Sequence, residues 1–355
     1  MHGGDGHAGR ARGGRWRARP YADPEFSRRR VRAIVRPPPA NAARRAAPGP
    51  AADHRSEPAR SRPVTPPLLR RLLVLIALTV GLPQPGRGAS EPAVPPSRPG
   101  NLIIVGGGDT PMAVQQRFVS LAGGAGKARI ALFPMASTQF DEEAREVMAD
   151  LRKLNADTHL INIDRQEAQA EATAQLLETF TGYWFLGGDQ NRLAATLLGT
   201  RALDVIERRY QEGAVVGGTS AGAAVMTSEM LTGRQKPDKG ETPPIARGAI
   251  DLARGFGFLP EAIIDQHFLK RARYNRLLSA VLDRPQLIGI GIDEETALQV
   301  RPDGRWEVLG NSYVKIIDAR GARLTHDRRH LTGAGNIRLH LLPRGSVFDP
   351  RRGRV

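Results

Sequence analysis

A short apolar strand that runs into two glycines and a lone serine is the feature that most limits the fold of this chain. It occupies residues 214–226, with the sequence AVVGGTSAGAAVM. Its centre, GTSAG, fits the G-x-S-x-G pattern of a nucleophile elbow, in which a serine lies on a sharp turn between a strand and a helix. Glycines flank the serine because larger side chains there would keep strand and helix apart. A plain glycine-rich turn explains the pattern as well, but the strand–turn–helix context favours Ser220 as a nucleophile.

The segments around this elbow predict an α/β fold. From residue 101 onward, short apolar runs alternate with longer helical patterns. Such alternation is typical of a mostly parallel sheet with helices on both faces, and ligands of these sheets bind beyond the carboxyl ends of the strands. The predicted strands include residues 102–105, 129–134, 159–163, 183–186 and 287–292, and the predicted helices include 140–154 and 202–212.

The net charge of +16 suggests a nucleic-acid partner only until its distribution along the chain is considered. Residues 1–100 carry 19 Lys and Arg against 6 Asp and Glu, whereas residues 101–355 carry 33 against 30. Residues 101–355, which have the patterns of helices and strands, are nearly neutral, so we expect no nucleic-acid partner. The chain has no cysteine, which excludes disulfides, cysteine nucleophiles and thiolate metal sites and is compatible with cytoplasm or periplasm.

The first hundred residues divide into three predicted segments. Residues 1–63 are rich in Arg, Ala, Gly and Pro, which predicts disorder or an upstream segment translated from a start codon assigned too early. Residues 64–90 have the layout of a signal peptide, with an arginine pair, an apolar run at 72–82 too short to span a bilayer, and small residues for cleavage. Residues 91–100 are a linker. We expect a secreted or periplasmic protein with no stable membrane span after processing, or a cytoplasmic one if the signal is not used.

Glycines also follow the first and fourth predicted strands. The three glycines at 106–108 lack the G-x-G-x-x-G spacing of a dinucleotide loop, so we expect no such cofactor. A glycine pair ends the strand at 183–186. We expect the Gly188 and Ala221 N–H groups to form an oxyanion hole, although a turn that uses glycine for a positive φ explains the pair equally well.

A histidine and three acids downstream of Ser220 complete a candidate catalytic group. His267 ends an apolar segment, and residues 293–295, Asp-Glu-Glu, end the buried run at 287–292. A histidine can act as the base of a serine nucleophile, and an Asp or Glu can hold its ring in position. A lone histidine is more often structural, so the assignment depends on the serine elbow. Neither cofactor nor metal is needed for this chemistry.

Several short segments together resemble the cyanophycinase family of serine peptidases, family S51, which is related to the aspartyl dipeptidases. They follow the family's order over residues 101–320. The resemblance implies one domain, residues 101–355, with a flavodoxin-like three-layer α/β fold related to the class I glutamine amidotransferases, usually as a homodimer. The segments are GGDQ at 187–190, GGTSAGA at 217–223, DQHF at 265–268, RAR at 271–273, RLL at 276–278, GIDE at 291–294 and TA at 296–297.

The resemblance also implies an activity and the residues that carry it. The family hydrolyses cyanophycin, a poly-aspartate with arginine on each side-chain carboxyl, to β-Asp-Arg dipeptides. In this sequence Ser220 matches the family's nucleophile, His267 its base and Glu294 its acid. Guanidinium groups in the pocket suit the carboxylates of such a substrate. The residues that match the family's substrate pocket are Gln190, Asp265, Gln266, Arg271, Arg273 and Arg276.

Two departures from the family's pattern leave alternatives open. Glu295 stands where the family has an asparagine. The loop between Met230 and Ile250, of which we expect residues 231–248 to be mobile, is longer than in the family and lacks the family's acid-rich run. Acids near the site should hold the guanidinium of the substrate. A related peptidase for short Asp-containing peptides is therefore an alternative, as is a non-catalytic binding protein on the same fold. Asp238 and Glu241, in that segment, compete with Glu294 for the third catalytic position.

Overall fold

The structure, a computed structural model, describes residues 100–235, 244–328 and 330–355. All of them belong to one compact unit, Pro83–Val355. The predicted leader segments, the linker up to residue 99, and the competing acids Asp238 and Glu241 lie outside the described residues. Within the described part, no helix is long and apolar enough to cross a membrane.

The described residues form eight helices and sixteen strands. The helices are α1 (Met112–Leu121), α2 (Asp141–Lys153), α3 (Arg165–Ala168), α4 (Glu171–Leu177), α5 (Gln190–Leu197), α6 (Arg201–Gln211), α7 (Ala221–Ala224) and α8 (Tyr274–Asp283). The strands are β1 (Leu102–Val105), β2 (Arg129–Phe133), β3 (Asp157–Leu160), β4 (Gly182–Phe185), β5 (Val215–Thr219), β6 (Glu229–Gln235), β7 (Ile250–Arg254), β8 (Ala262–Asp265), β9 (Ile288–Ile292), β10 (Thr296–Val300), β11 (Trp306–Gly310), β12 (Tyr313–Asp318), β13 (Arg323–His326), β14 (Thr332–Gly335), β15 (Arg338–Pro343) and β16 (Val347–Phe348).

Eight of these strands form the central sheet, in the order β16-β11-β10-β1-β5-β4-β2-β3. The five strands from β1 to β3 in this order run parallel, and β10, β11 and β16 extend the sheet in antiparallel fashion beyond β1. The chain goes from β1 out to β2 and β3 and returns through β4 to β5. The carboxyl ends of β1, β4 and β5 therefore lie side by side, where a ligand of an open α/β sheet binds.

The alternating side chains of the parallel strands explain the helix layer on each face of the sheet. Ile104 and Phe185 pack on the face covered by α5 and α6, in a cluster that includes their leucines. Ile103 and Trp184 pack on the face covered by α1 and α2, where the Trp184 ring meets that of Phe118 edge-on at 4.8 Å. Phe118 and the four strand side chains are all buried. The strand side chains are buried because strands covered on both faces have no solvent side. The predicted α/β fold with a mostly parallel central sheet is confirmed.

A second sheet, in the order β15-β12-β9-β8, carries the histidine and the acids. Within it β8 and β9 are parallel, with Asp265 opposite Gly291. The residues that follow these two strands therefore emerge at the same edge. His267 comes after β8 and Glu294 after β9, so this pairing brings the two side chains together.

Two elements differ from the sequence prediction. The third strand covers Asp157–Leu160 rather than 159–163, because the chain soon turns into the Asp164 cap of α3. The segment expected to be mobile from residue 231 onward belongs to β6 as far as Gln235 and pairs with β7. The mobile-loop prediction is therefore wrong for the start of that segment, whereas residues 236–243 lie outside the described part.

Candidate active site

Ser220 lies at the sharp turn between β5 and α7. Its φ of 52° is in the left-handed region that non-glycine residues rarely adopt, and its N–H donates to the Val105 carbonyl oxygen at 3.1 Å. A Cβ on Gly218 would lie 2.8 Å from the Gly222 carbonyl oxygen, and one on Gly222 would lie 2.1 Å from that of Phe185. The two glycines of the elbow therefore have steric reasons, and the turn presents the serine hydroxyl at the edge of the sheet.

The imidazole of His267 contacts this hydroxyl, with Nε2 2.9 Å from Ser220 Oγ. His267 follows β8 with a φ of 49°, and its N–H donates to the Gly106 carbonyl oxygen at 2.7 Å. A Cβ on Gly107 would lie 2.2 Å from the ring carbon Cε1. Gly107 therefore makes room for the histidine ring.

The other ring nitrogen of His267 faces Glu294, with Nδ1 2.7 Å from Oε1. The two neighbouring acids have other partners. Asp293 Oδ1 accepts hydrogen bonds from two backbone N–H groups of the turn after His267, both at 3.1 Å. Glu295 is exposed, and its Oε2 accepts from the Asn311 side chain at 3.1 Å. Of the three acids, Glu294 is the one that contacts the imidazole.

Burial lowers the pKa of His267 below its ordinary value of 6.5. The hydrogen bond to Glu294 opposes this shift, and the positive charges of Arg271 and Arg273 add to it. The ring is therefore neutral at pH 7. A proton on Nδ1 satisfies the Glu294 carboxylate and leaves the lone pair of Nε2 directed at Ser220, which is the state that a general base requires.

We expect kcat/KM to fall at acidic pH, and the midpoint of this fall should lie below pH 6.5. Protonation of Nε2 removes the base, and because the pKa of His267 is lowered, activity persists until the pH falls below the ordinary histidine value. Removing the nearby charge with Arg271→Gln should raise the pKa and move the midpoint to higher pH. A pH profile of kcat/KM for both proteins measures this. A midpoint above 6.5 in the unmodified protein would contradict the prediction.

The two N–H groups predicted to form an oxyanion hole are both near the elbow. Gly188 has a φ of 129°, and a Cβ there would lie 2.4 Å from the Ala136 carbonyl oxygen, so only glycine fits. Among the described residues, the N–H groups of Gly188 and Ala221 have no hydrogen-bond partner. Unpaired donors close to a nucleophile are what a developing oxyanion requires.

Glu143, which sequence reasoning did not single out, lies beside the candidate nucleophile. It belongs to the first turn of α2, and its Oε1 accepts a hydrogen bond from the Gly187 N–H at 3.1 Å. A Cβ on Gly187 would lie 3.2 Å from this oxygen and 3.6 Å from Ser220 Cβ. The sequence signals only three acids at the start of a helix, where the helix dipole alone favours them. The contact with Gly187 depends on the fold.

The three predicted pocket arginines have different surroundings. Arg276 is buried and forms a two-point ion pair with the buried Asp265, its Nε 2.8 Å from Oδ2. Arg273 lies 3.6 Å from the same carboxylate and donates to the Gln266 carbonyl oxygen at 2.7 Å. Burial, followed by the charge of Arg276, lowers the pKa of Arg273 to about 10, so it stays charged at pH 7. Arg271 is exposed. Asp265 and Arg276 are therefore paired in the interior, while Arg271 is exposed and Arg273 is partly exposed.

The buried ion pair between Asp265 and Arg276 should contribute to the stability of the fold. Asp265→Asn should lower the free energy of unfolding by about 3–5 kcal/mol, because it leaves the Arg276 guanidinium buried without its carboxylate. Urea unfolding followed by far-UV circular dichroism measures this, with the exposed substitution Arg271→Gln as the control that should change stability by less than about 0.5 kcal/mol. An Asp265→Asn protein that is as stable as the unmodified one but no longer binds substrate would make Asp265 a direct ligand contact instead.

The two predicted glutamines are both buried, but they have different roles in the frame of the site. The Gln190 side-chain N–H group donates to the Leu231 carbonyl oxygen at 2.6 Å and so holds β6 against α5. The side-chain oxygen of Gln266, next to His267, is buried without a hydrogen-bond partner among the described residues. A buried acceptor without a partner costs free energy, so a donor on a bound ligand would stabilise Gln266.

A cavity of about 610 Å³ opens at the same edge of the sheet. Its walls include Met135, Asp164 and Arg192. Met135 precedes Ala136, whose carbonyl oxygen packs against Gly188. Its size is typical of ligand-binding clefts, but the residues that line it do not include Ser220, His267 or Gly188.

In the part of the chain that the structure describes, no three His, Asp or Glu side chains are grouped so as to hold a metal ion. The acids nearest to Ser220 already have partners, since Glu294 contacts the imidazole and Asp293 accepts from backbone N–H groups. These two carboxylates therefore bind the imidazole of His267 or the backbone of the turn that follows it.

A serine elbow at the carboxyl edge of a parallel sheet, with a histidine and then a carboxylate behind the hydroxyl, is the construction of the α/β serine hydrolases. A family model described as peptidase family S51 matches residues 101–307. The chain is 34% identical over 278 residues to the cyanophycinase of Trichormus variabilis. This alignment covers 75% of this chain and 91% of that one. It is also 34% identical over 267 residues to the cyanophycinase of Synechococcus elongatus, 72% of this chain and 81% of that one. The chain therefore belongs to peptidase family S51 and is a serine-type peptidase.

A solved structure shares the fold. The crystal structure of a peptidase from an acI-B1 actinobacterium aligns with a TM-score of 0.54 and covers 71% of this chain and 98% of that chain. The two sequences are 23% identical in this alignment. At that level the likeness concerns the fold alone.

Proposed function

We propose that this peptidase hydrolyses cyanophycin, a poly-aspartate with arginine on each side-chain carboxyl, and releases β-Asp-Arg dipeptides. The observation that carries the proposal is the hydrogen-bonded series from Ser220 through His267 to Glu294. Relatives named cyanophycinase, at 34% identity, support the choice of substrate.

The first half of the reaction transfers an acyl group to the enzyme. Ser220 Oγ attacks the scissile carbonyl carbon while His267 Nε2 takes the hydroxyl proton. The oxyanion of the tetrahedral intermediate accepts hydrogen bonds from the Gly188 and Ala221 N–H groups. The carbon–nitrogen bond then breaks as the imidazolium returns its proton to the leaving amine, and Glu294 stabilises the imidazolium throughout.

The second half releases the product by hydrolysis of the acyl-enzyme. His267 removes a proton from a water molecule whose oxygen attacks the ester carbonyl, and the same N–H groups hold the new oxyanion. The proton then passes to Ser220 Oγ as the ester bond breaks. The enzyme returns to its starting state without a cofactor.

The predicted pocket residues divide between contact and support. Arg271 and Arg273 bind carboxylates of the substrate, for which their planar guanidinium groups offer two donors at once. The buried acceptor of Gln266 takes a hydrogen bond from the substrate. Support comes from Asp265 and Arg276 through their ion pair, and from Gln190 through its hydrogen bond to β6.

Product analysis after incubation with cyanophycin tests the proposal. We expect β-Asp-Arg dipeptides as the main soluble product, identified by mass spectrometry. A panel of Asp-X dipeptides is incubated in parallel. Cleavage of the dipeptides without cleavage of cyanophycin would instead support a peptidase for short Asp-containing substrates. Failure to cleave either substrate would support a non-catalytic binding protein.

Export of the enzyme is a proposal that rests on the sequence of residues 64–90, with its arginine pair, apolar run and small residues. A polymer too large to enter a cell has to be cut outside it, which agrees with export. N-terminal sequencing of the native protein from the periplasm or medium should begin near Glu91. A mature chain that keeps residues 72–82 and fractionates with the cytoplasm would contradict export.

A homodimer is also proposed, as is usual in the family. Support comes from the exposed apolar side chains of Tyr313, Leu339 and Leu341 on one face of the paired strands β12 and β15. Light scattering coupled to size-exclusion chromatography should give twice the chain mass, and Leu341→Lys should shift it toward the monomer. A monomeric mass for the unmodified protein would contradict the proposal.

A further inference from the structure

We propose that Glu143 is a specificity-determining residue that binds a cationic group of the substrate beside the scissile bond. The proposal rests on the peptidase activity proposed above and names the chemistry that the site selects. It concerns a side chain that the sequence motifs did not include. For a substrate built from aspartate and arginine, the cationic group is a guanidinium.

The position of the Glu143 carboxylate is set by one hydrogen bond. Its Oε1 accepts from the Gly187 N–H at 3.1 Å, and Gly187 directly precedes the candidate oxyanion donor Gly188. The same glycine lies against Ser220, since a Cβ built on it would be 3.6 Å from Ser220 Cβ and 3.7 Å from Glu143 Oε2. The carboxylate and the nucleophile therefore border the same small space.

The second oxygen of this carboxylate is available to a ligand. In the described part of the chain, Glu143 has no ion pair, and its Oε2 has no hydrogen bond. The side chain is half-buried, whereas its neighbours Asp141 and Glu142 are exposed. A partly desolvated carboxylate with one anchored oxygen and one unpaired oxygen is suited to a charge-assisted hydrogen bond with a cation.

An unpaired negative charge at this place also affects catalysis. The tetrahedral intermediate carries a negative charge near Gly188, so Glu143 opposes its formation by like-charge repulsion. A cation bound to Glu143 removes that repulsion. Substrates with a positive group at this position should therefore bind more tightly and also react faster than neutral substrates of the same shape.

Charged side chains of both signs come from the elements around the catalytic serine. Glu143 belongs to α2, and Arg271 and Arg273 follow His267 after β8. A substrate that carries a cation and an anion around one scissile bond matches these charges, as an aspartate–arginine unit does. The chain lacks an acid-rich run in the segment 231–248, and Glu143 supplies an acid to the site from a different element.

The experiment compares two substrates of equal shape on two variants of the enzyme. The substrates are aspartyl dimers whose β-carboxyl groups carry either arginine or citrulline, in which a neutral urea replaces the guanidinium. Glu143→Gln keeps an oxygen acceptor for the Gly187 N–H and removes the charge. Glu142→Gln, on the exposed side of the same turn, is the matched control.

We expect Glu143→Gln to lower kcat/KM for the arginine substrate by about 10- to 100-fold, the range of one hydrogen bond to a charged group. The kcat/KM for the citrulline substrate should change by less than about 3-fold, and any change should be an increase because the like-charge repulsion is gone, while Glu142→Gln should leave both substrates unchanged. Labelling of Ser220 by a serine-directed phosphonate in the Glu143→Gln protein verifies that its site is folded.

Three results would overturn the proposal. Equal losses on both substrates would make Glu143 a positioning residue for Gly187. No loss on either would leave it without a role in recognition. If the unmodified enzyme cleaves neither substrate, the proposed function fails first, and that outcome differs from the other two because they require an active enzyme.

Discussion

Ser220→Ala and His267→Ala are each expected to reduce kcat on the order of 10⁴- to 10⁶-fold while the protein remains folded. The two side chains act as one unit, since the hydroxyl is a weak nucleophile until the imidazole at 2.9 Å takes its proton. What survives is the contribution of substrate binding and the oxyanion donors. The double variant should therefore be hardly slower than either single variant.

Matched controls for this experiment are present on the surface of the same domain. Ser120 on α1 is exposed and His159 on β3 is partly exposed, so Ser120→Ala and His159→Ala should keep the turnover of the unmodified enzyme. Steady-state kinetics on cyanophycin, with circular dichroism to verify folding, makes the comparison. Near-normal turnover in Ser220→Ala or His267→Ala would refute the assignment of the nucleophile or the base.

Glu294→Gln is expected to lower kcat by about 10⁴-fold with little change in substrate affinity. An amide can donate to Nδ1 and so favour the wrong tautomer of His267, and it cannot stabilise the imidazolium. The carboxylate oxygen lies 2.7 Å from Nδ1, so the effect should act on the chemical step. Glu295→Gln, at the exposed next position, is the control and should cost less than about 10-fold.

Asp238 and Glu241, in the segment 231–248, are the alternatives to Glu294 for the third catalytic position. If Glu241→Gln or Asp238→Asn produced the large loss in kcat and Glu294→Gln did not, the third catalytic position would belong to that segment. A loss in all three would point to a general electrostatic effect instead. Measurement of kcat at saturating substrate for the three variants distinguishes these results.

Local patterns predicted the elbow because part of its cause is local. Gly218 lies against Gly222 within a single strand–turn–helix unit, whereas a Cβ on Gly222 would meet the Phe185 carbonyl oxygen of the neighbouring β4. The alternation of apolar runs with helical patterns likewise predicted the parallel sheet. The third strand and β6 were less predictable, because a short edge strand and a two-stranded pair depend on where the neighbouring chain lies.

The surroundings of the nucleophile could not be predicted, because they arise from segments that are far apart in the chain. Glu143 meets Gly187 only after α2 and β4 have packed on the same sheet. A Cβ on Gly107 would collide with the ring of His267, which comes more than a hundred residues later, and one on Gly106 would collide with the backbone of Ile292 and Asp293. No periodicity or spacing within either segment records such a contact.

The arginines show a similar limit. A sequence pattern places Arg271, Arg273 and Arg276 close to His267, but it cannot distinguish a guanidinium that faces a ligand from one that is paired in the interior. The structure gives Arg276 a buried partner in Asp265 and leaves Arg271 exposed. Burial and partner geometry, which are properties of the fold, decide between the two roles.

Covalent labelling of the unmodified enzyme with a fluorophosphonate tests the central claim most directly, because only an activated serine reacts at an appreciable rate. Intact-mass and peptide-mass analysis should find one adduct per chain, on Ser220, and labelling should slow strongly in His267→Ala. It should also be blocked by cyanophycin. An adduct on another serine, or a rate of Ser220 labelling that does not depend on His267, would contradict the account.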